Sequence, residues 1–308
     1  MNNIWLSQNM NLCMKLYSVI PTGPLEGMVE IVEDSVTLAK ITSEYGGSTA
    51  AFSKKPIANW LYKQLNIQTF VKRYRRKFKK QLQAAQEQLL AQSEEYSDEP
   101  DITQLATLSS LGSTTTQTTT LGQQDIDPVA CLQAWKVAVD NFSKSCAAYG
   151  VATFLLGIGD RHNDNVMLST QGCLFHIDYG HMLGNFKKKF GIKREKAPFF
   201  FTPDLKWVMD EYDVLTESKS YETFKSLSEQ AYNAIRRKGK LFLVMIKMLV
   251  ATGIEELTQI SDIKWLVNAL QLELTGPEAA KFFDDKIQEA LTTVMTRINN
   301  FFHIVAHK

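Results

Sequence analysis

The chain has 308 residues, 44% of them hydrophobic and 22% charged, with 34 Lys and Arg against 33 Asp and Glu. This composition suits one large or two smaller globular domains with a sizeable core, and it excludes wholesale disorder, a collagen-like repeat or a disulfide scaffold. A net charge of +1 supplies no global field for nucleic acid, so no nucleic-acid partner is expected and any charge signal is local.

Cys13, Cys131, Cys146 and Cys173 form no C-x-x-C pair and no Cys/His pattern at zinc spacing, which reads as reduced thiols in the cytosol. The N-terminal stretch MNNIWLSQNMNLCMKLY lacks the basic-then-apolar order of a signal peptide. The longest apolar run, from Leu241 to Ile254, is interrupted by Lys247 and is too short to cross a bilayer. A cytoplasmic chain that meets membranes from outside is therefore expected.

In chain order, residues 13–32 combine short β-branched runs with Pro21, Gly23, Pro24 and Gly27, predicting two short strands joined by a turn. Helical spacing predicts helices over 57–65 and about 128–154, the second carried by Leu132, Trp135, Val139 and Phe142. Between them the composition shifts. VKRYRRKFKK at 71–80 holds seven basic residues, and no Lys or Arg follows until Lys136. An acidic stretch and a Ser/Thr/Gln tract fill the gap, so 66–128 is expected to be a low-complexity, largely disordered insert whose basic start is helical. Two short strands are expected around VMLS and CLFHID. Helices dominate from Tyr221 onward, broken at Gly239, Gly253 and Gly276–Pro277. The last helix carries a stripe from Ile287 through Leu291, Val294 and Ile298 to Phe301, Phe302 and Val305. The fold class is α+β.

The most informative stretch is GIGDRHNDNVMLSTQGCLFHIDYGH at 157–181. Asp160 stands five residues before Asn165, and Asp178 lies eighteen beyond Asp160, with the two short strands between. Phosphoryl transfer needs a polar group to orient or deprotonate the attacking hydroxyl and oxygen ligands to hold Mg²⁺ on the triphosphate. The five-residue step from Asp to Asn matches that of a protein-kinase catalytic loop, and D-Y-G stands where D-F-G would be, although D-R-H replaces H-R-D.

GDRHNDN followed by FHIDYGH closely resembles the phosphoinositide 3-kinase superfamily. KLYSVIPTGPLEGMVEIVEDSVTLAKI is similar to the strand pair and interlobe hinge of those enzymes. SCAAYGVATFLLG resembles the helix leading to their catalytic loop, and AIRRKGKLFLVMIKMLVATGIEELT to INNFFHIVAHK their C-terminal helices. The resemblance covers about four-fifths of the chain, all but the insert. It implies a kinase-like fold: an N-lobe remnant and hinge at 1–32, and a mainly helical C-lobe with short β-hairpins at 33–308, interrupted by 66–128.

By position, the resemblance implies ATP and Mg²⁺ as cofactors. Glu30 and Val32 would offer backbone hydrogen bonds to adenine, with Tyr17, Ile31, Met167 and Ile177 lining the purine. Asn165 and Asp178 would be metal ligands. Asp160 and His162 would orient and deprotonate the lipid hydroxyl, and either could take the proton. Arg161 belongs to the catalytic loop and is expected to hold it by a salt bridge. His176 and His181 are expected to order the structure around it.

FKKKFGIKREK places Lys187, Lys188, Lys189, Lys193, Arg194 and Lys196 directly after D-Y-G, offset only by Glu195. Such a cluster can pair with inositol phosphates, and it resembles the activation loop of class I enzymes acting on phosphatidylinositol 4,5-bisphosphate. Phosphorylation of the inositol 3-hydroxyl, with the bisphosphate favoured, is the expected activity. Phe301 and Phe302 would press into the lipid interface. The expected location is the cytosolic face of membranes, the plasma membrane in particular. No domain for a regulatory subunit is visible.

Upstream of the hinge there is no Gly-rich loop and no counterpart of the V-A-I-K lysine. Two further readings follow: a catalytically incomplete lobe that binds membranes or partners, and a related large protein kinase, which shares D-R-H-x-x-N but has no use for the basic cluster.

Overall fold

The computed structural model describes residues 1–24, 26–46, 55–77, 80, 127–184, 188–189, 192–193, 197–216, 218–250, 252 and 263–293. The chain divides into two units, Met1–Asn66 with Leu132–Lys308, and Ile67–Cys131. In the smaller unit, helix α4 is described over residues 68–77, with Phe70 and Tyr74 one turn apart and their rings 5.5 Å apart. The rest of the low-complexity stretch, from residue 81 to 126, lies outside the described residues.

The larger unit begins with α1 (Asn2–Leu6) and a hairpin of β1 (Val19–Gly23) and β2 (Glu26–Val29), antiparallel with Val19 opposite Val29. The short strand β3 (Ser35–Thr37) leads into α2 (Leu38–Gly46). β3 joins β4 (Val166–Ser169) and β5 (Leu174–His176) in an antiparallel sheet of order β3-β4-β5. The predicted strands at VMLS and CLFHID are present, and β3 adds a third. Helix α3 (Pro56–Gln64) starts on Pro56, whose fixed φ suits a first helical turn.

Helix α5 (Pro128–Leu155) runs 28 residues, about 42 Å at 1.5 Å per residue. Asp127 Oδ1 accepts the Val129 N–H at 2.9 Å, so Asp127 caps the helix and Pro128 opens it. Every residue from Ser145 to Leu155 is buried, and a helix apolar all round belongs inside a core. Ser145 Oγ accepts the Leu174 N–H at 2.9 Å, fastening β5 to it.

The remaining elements are the two-residue strands β6 (Lys188–Lys189) and β7 (Ile192–Lys193), then α6 (Pro203–Thr216), α7 (Ser220–Arg236), α8 (Gly239–Val250), α9 (Ile263–Leu270) and α10 (Gly276–Thr292). Residues 294–308, with Phe301 and Phe302, lie outside the described residues. At the N-terminus of α10, Glu278 accepts the Thr275 N–H at 2.8 Å, the reciprocal half of a capping box. Trp5 of α1 is fully buried and donates its indole N–H to Ala231 O of α7 at 3.0 Å. No helix among the described residues is long and apolar enough to cross a membrane.

An aromatic core joins α5, α7 and α10. Phe154 meets Phe283 at 5.6 Å between centroids and Tyr232 at 6.2 Å, while Phe199 stacks on Phe283 at 5.6 Å. These rings combine large buried area with favourable edge and offset contacts. Phe283 is fully buried. Its replacement by Ala is expected to lower stability by about 3–5 kcal/mol, read as a shift in the denaturant midpoint at constant slope.

Candidate active site

Beyond α5 the chain turns through Gly157, whose φ is +54°, and runs beside the segment that follows D-Y-G. Leu183 N–H donates to Leu156 O at 2.7 Å, and Gly159 N–H to His181 O at 2.9 Å. Trp265 of α9 seals this seam. A Cβ on Gly157 would come within 2.5 Å of Trp265 Nε1, and one on Gly184, at φ +80°, within 2.6 Å of its ring. Only glycine allows both that backbone conformation and that approach. Trp265 Nε1 in turn donates to Phe154 O at 3.1 Å.

Arg161 is buried at the centre of the loop. Its Nε donates to Gly159 O at 2.8 Å, one terminal nitrogen to Ile177 O at 2.8 Å and the other to Asp178 O. The rigid guanidinium fork matches carbonyls presented at fixed angles. These three bonds hold the loop through backbone carbonyls on two segments. Asp160 and Asp178 both have positive φ, +57° and +60°, a conformation that costs about 1–2 kcal/mol for a residue with a Cβ. Arg161 reaches the carbonyl of one and of the other's neighbour, which keeps both in place.

Residues Asn163–Asn165 form one 3₁₀ turn. Asn165 Nδ2 donates to Asp160 O at 3.0 Å and lies 3.4 Å from His162 Nε2, and the Asn165 carbonyl accepts Ile177 N–H at 3.1 Å. With its NH₂ turned to the loop, Asn165 keeps its amide oxygen for other ligands. His162 is buried, and its Nδ1 lies 3.3 Å from Asp164 Oδ2. The same Nδ1 accepts the Asp164 backbone N–H at 3.3 Å, so the 3₁₀ turn itself holds the His162 ring. Thus Asp160, His162, Asn165 and Asp178 all sit on the two segments that Arg161 joins. Sequence reasoning passed over Asp164, although a carboxylate two residues after a loop histidine was a usable signal.

Behind D-Y-G lies an aromatic cluster. The phenols of Tyr179 and Tyr17 both donate to His176 O, at 2.9 Å and 3.2 Å. The His176 ring stacks on Tyr149 at 5.2 Å and meets Phe200 edge-on at 6.2 Å. Tyr149 OH donates to Lys15 O. Burial pushes the phenols of Tyr149 and Tyr179 far above their ordinary range. His176 acts as a structural residue here, and Tyr149 was not singled out from the sequence.

At residues 30–32, where the sequence predicts a hinge, Glu30 N–H is committed to Ser18 O at 2.9 Å. Tyr17 is half-buried beside Phe175, Met167 and Ile177 are half-buried on and just beyond the sheet, and Ile31 is 85% exposed. A hollow of about 410 Å³ borders Glu30, Ile31, Val32, Ser169 and Thr170, with Tyr17, Met167 and Ile177 off its lining. Of the basic cluster, Lys188 and Lys189 pair in antiparallel register with Lys193 and Ile192. Lys187, Arg194 and Lys196 lie outside the described residues. Farther on, Phe199, Phe200 and Phe201 are all buried and anchor the far end of the segment.

His176 Nδ1 is buried and has no hydrogen-bond partner among the described residues. Burial first, and the Arg161 charge second, hold its pKa well below the ordinary value. In the unfolded chain it protonates near pH ~6.5. Stability from the neutral ring is therefore full above that pH and declines as pH falls toward the depressed folded-state value. The denaturant midpoint should fall on acidification from neutrality, and His176→Phe should remove part of that slope; an unchanged slope would count against the buried neutral ring.

The model of the phosphatidylinositol 3- and 4-kinase family matches residues 1–259. Phosphatidylinositol 3-kinase 1 of Dictyostelium discoideum is 36% identical over the whole chain. Human phosphatidylinositol 4-phosphate 3-kinase C2 domain-containing subunit beta is 31% identical over 99% of it. The chain spans 15% of the length of each of these two relatives. A family match across 1–259, together with a D-R-H loop clamped to D-Y-G by Arg161, places this α+β chain in the phosphatidylinositol 3- and 4-kinase family.

Proposed function

We propose that the chain carries the substrate- and metal-binding lobe of a phosphoinositide 3-kinase, which transfers the γ-phosphate of ATP to the inositol 3-hydroxyl. The observation that carries this reading is the convergence of Asp160, His162, Asn165 and Asp178 on two segments joined by Arg161. In phosphoryl transfer most of the catalysis is positioning and charge stabilisation, and a loop clamped in this way is suited to positioning.

Asn165 and Asp178 fit a magnesium ion. Both supply hard oxygen donors, and the Asn165 amide has its NH₂ turned away toward Asp160 O. When bound there, the ion neutralises charge on the phosphates. Asp160 and His162 together orient and deprotonate the attacking hydroxyl, with the His162 ring held by the Asp164 backbone N–H at Nδ1. Glu30 and Val32 meet the adenine, with Tyr17, Ile31, Met167 and Ile177 around it.

The basic cluster, Lys187, Lys188, Lys189, Lys193, Arg194 and Lys196, selects the headgroup, with phosphatidylinositol 4,5-bisphosphate favoured. The human relative is named for phosphatidylinositol 4-phosphate, which makes the monophosphate the second acceptor to test. Phe301 and Phe302 contact the membrane, and the protein works at the cytosolic face of membranes.

With ATP, Mg²⁺ and lipid vesicles, Asp178→Asn should reduce phosphate transfer at least about a hundredfold, the scale of losing a charge-stabilising group. Joint replacement of Lys187, Lys188 and Lys189 by Ala should lower transfer to the bisphosphate much more than to plain phosphatidylinositol, with the monophosphate between. Equal losses on all three lipids would refute the headgroup role.

A further inference from the structure

Helix α8 has two unlike sides. Phe242 and Ile246 are buried, whereas Leu241, Val244, Met245, Met248 and Leu249 are 40–67% exposed. The five exposed side chains follow i, i+3, i+4, i+7, i+8, so they form one continuous stripe along the helix. The stripe continues at its N-terminal end. Gly239 packs so closely on Leu272, itself exposed, that an added Cβ would come within 2.7 Å of its Cδ2. An apolar stripe of this extent on a chain surface marks a contact site.

Charge identifies what it contacts. Residues 236–250, RRKGKLFLVMIKMLV, contain five basic residues and no acidic one. Arg236 is committed to Leu270 O at 2.8 Å and Leu274 O at 2.7 Å, and Arg237 reaches Gln8. Lys238, Lys240 and Lys247 are exposed. Lys240 and Lys247, two turns apart, run along one edge of the stripe. An exposed apolar face edged by lysines is the pattern of a helix lying in a lipid interface. The C-terminal stretch VMTRINNFFHIVAHK is itself basic and has no acidic residue, so like charges oppose its docking here. A second copy would set lysine against lysine. α8, at 12 residues, is about 18 Å long and suits lying in the interface rather than crossing it.

We infer that α8 is a membrane-docking helix for anionic lipid surfaces, with Leu241, Val244, Met245, Met248 and Leu249 among the acyl chains and Lys240 and Lys247 at the lipid phosphates. The inference stands on α8 itself and does not require that the lobe transfer phosphate.

The test is flotation of the full chain with phosphatidylcholine vesicles, with and without phosphatidylserine and free of phosphoinositides. The chain should float with the phosphatidylserine vesicles, less so as salt rises. Val244→Glu with Met248→Glu should lower the partition coefficient about tenfold or more, and Lys240→Glu with Lys247→Glu about tenfold on the anionic vesicles. All four positions are exposed, and thermal melts matching the wild type would show that both variants fold. Failure of the wild-type chain to bind anionic vesicles overturns the inference, as does binding that survives Val244→Glu with Met248→Glu. Two outcomes assign the stripe elsewhere and overturn it too. One is a dimer that this pair of substitutions dissociates without changing vesicle binding; the other is vesicle binding that arises only after truncation at Thr293. Because the vesicles carry no phosphoinositide, failure here leaves the transfer reading standing.

Discussion

The Arg161 guanidinium donates to the carbonyls of Gly159, Ile177 and Asp178, and the placing of the candidate catalytic groups depends on that fork. It joins a loop that follows α5 to a segment that follows β5, eighteen positions apart in the chain. A hydrogen bond from a charged donor contributes about 1.5–3 kcal/mol, enough to offset the left-handed backbone at Asp160 and Asp178. Lysine, a point charge on a flexible stem, cannot reproduce three donors in one plane. The fork thus converts two strained turns into a fixed pair of carboxylates with Asn165 and His162 between them.

Around the fork the segment after D-Y-G is pinned at both ends. At its start, Gly157 and Gly184 allow two backbones to meet under Trp265. At its end, Phe199 stacks on Phe283, Phe200 meets His176 and Phe201 stacks on Phe224 at 4.5 Å. In the chain the basic cluster falls between these two anchors, each of which is fixed by buried aromatic rings. Burial of three consecutive phenylalanines contributes several kcal/mol to the second anchor.

Much of this was readable in the sequence where one signal acts locally. The Asp160, Asn165 and Asp178 spacing, the strands at VMLS and CLFHID, and the helices opening near Pro56 and Pro128 rest on turn chemistry and periodicity. What escaped depends on contacts between distant positions. Trp265 reads as one more core aromatic on an amphipathic helix until Gly157 and Gly184 are seen beneath it. Tyr149 looks like an ordinary tyrosine and Tyr17 was expected only beside a purine, yet one stacks on His176 and the other bonds its carbonyl. Strand β3 is too short for a period-two pattern and forms because β4 offers it a partner. Arg161 was legible as a loop-holding residue but not its acceptors, since backbone carbonyls leave no trace in residue identity.

Arg161 holds the D-R-H loop and the D-Y-G segment as one unit. The most direct test of that hold is amide hydrogen exchange in Arg161→Lys against the wild type. Exchange at Asn165, Ile177 and Gly180 is predicted to accelerate about tenfold or more, as expected for loss of a charged hydrogen bond, while the buried half of α5 from Ser145 to Leu155 keeps its protection. Unchanged exchange at those three amides would contradict the account.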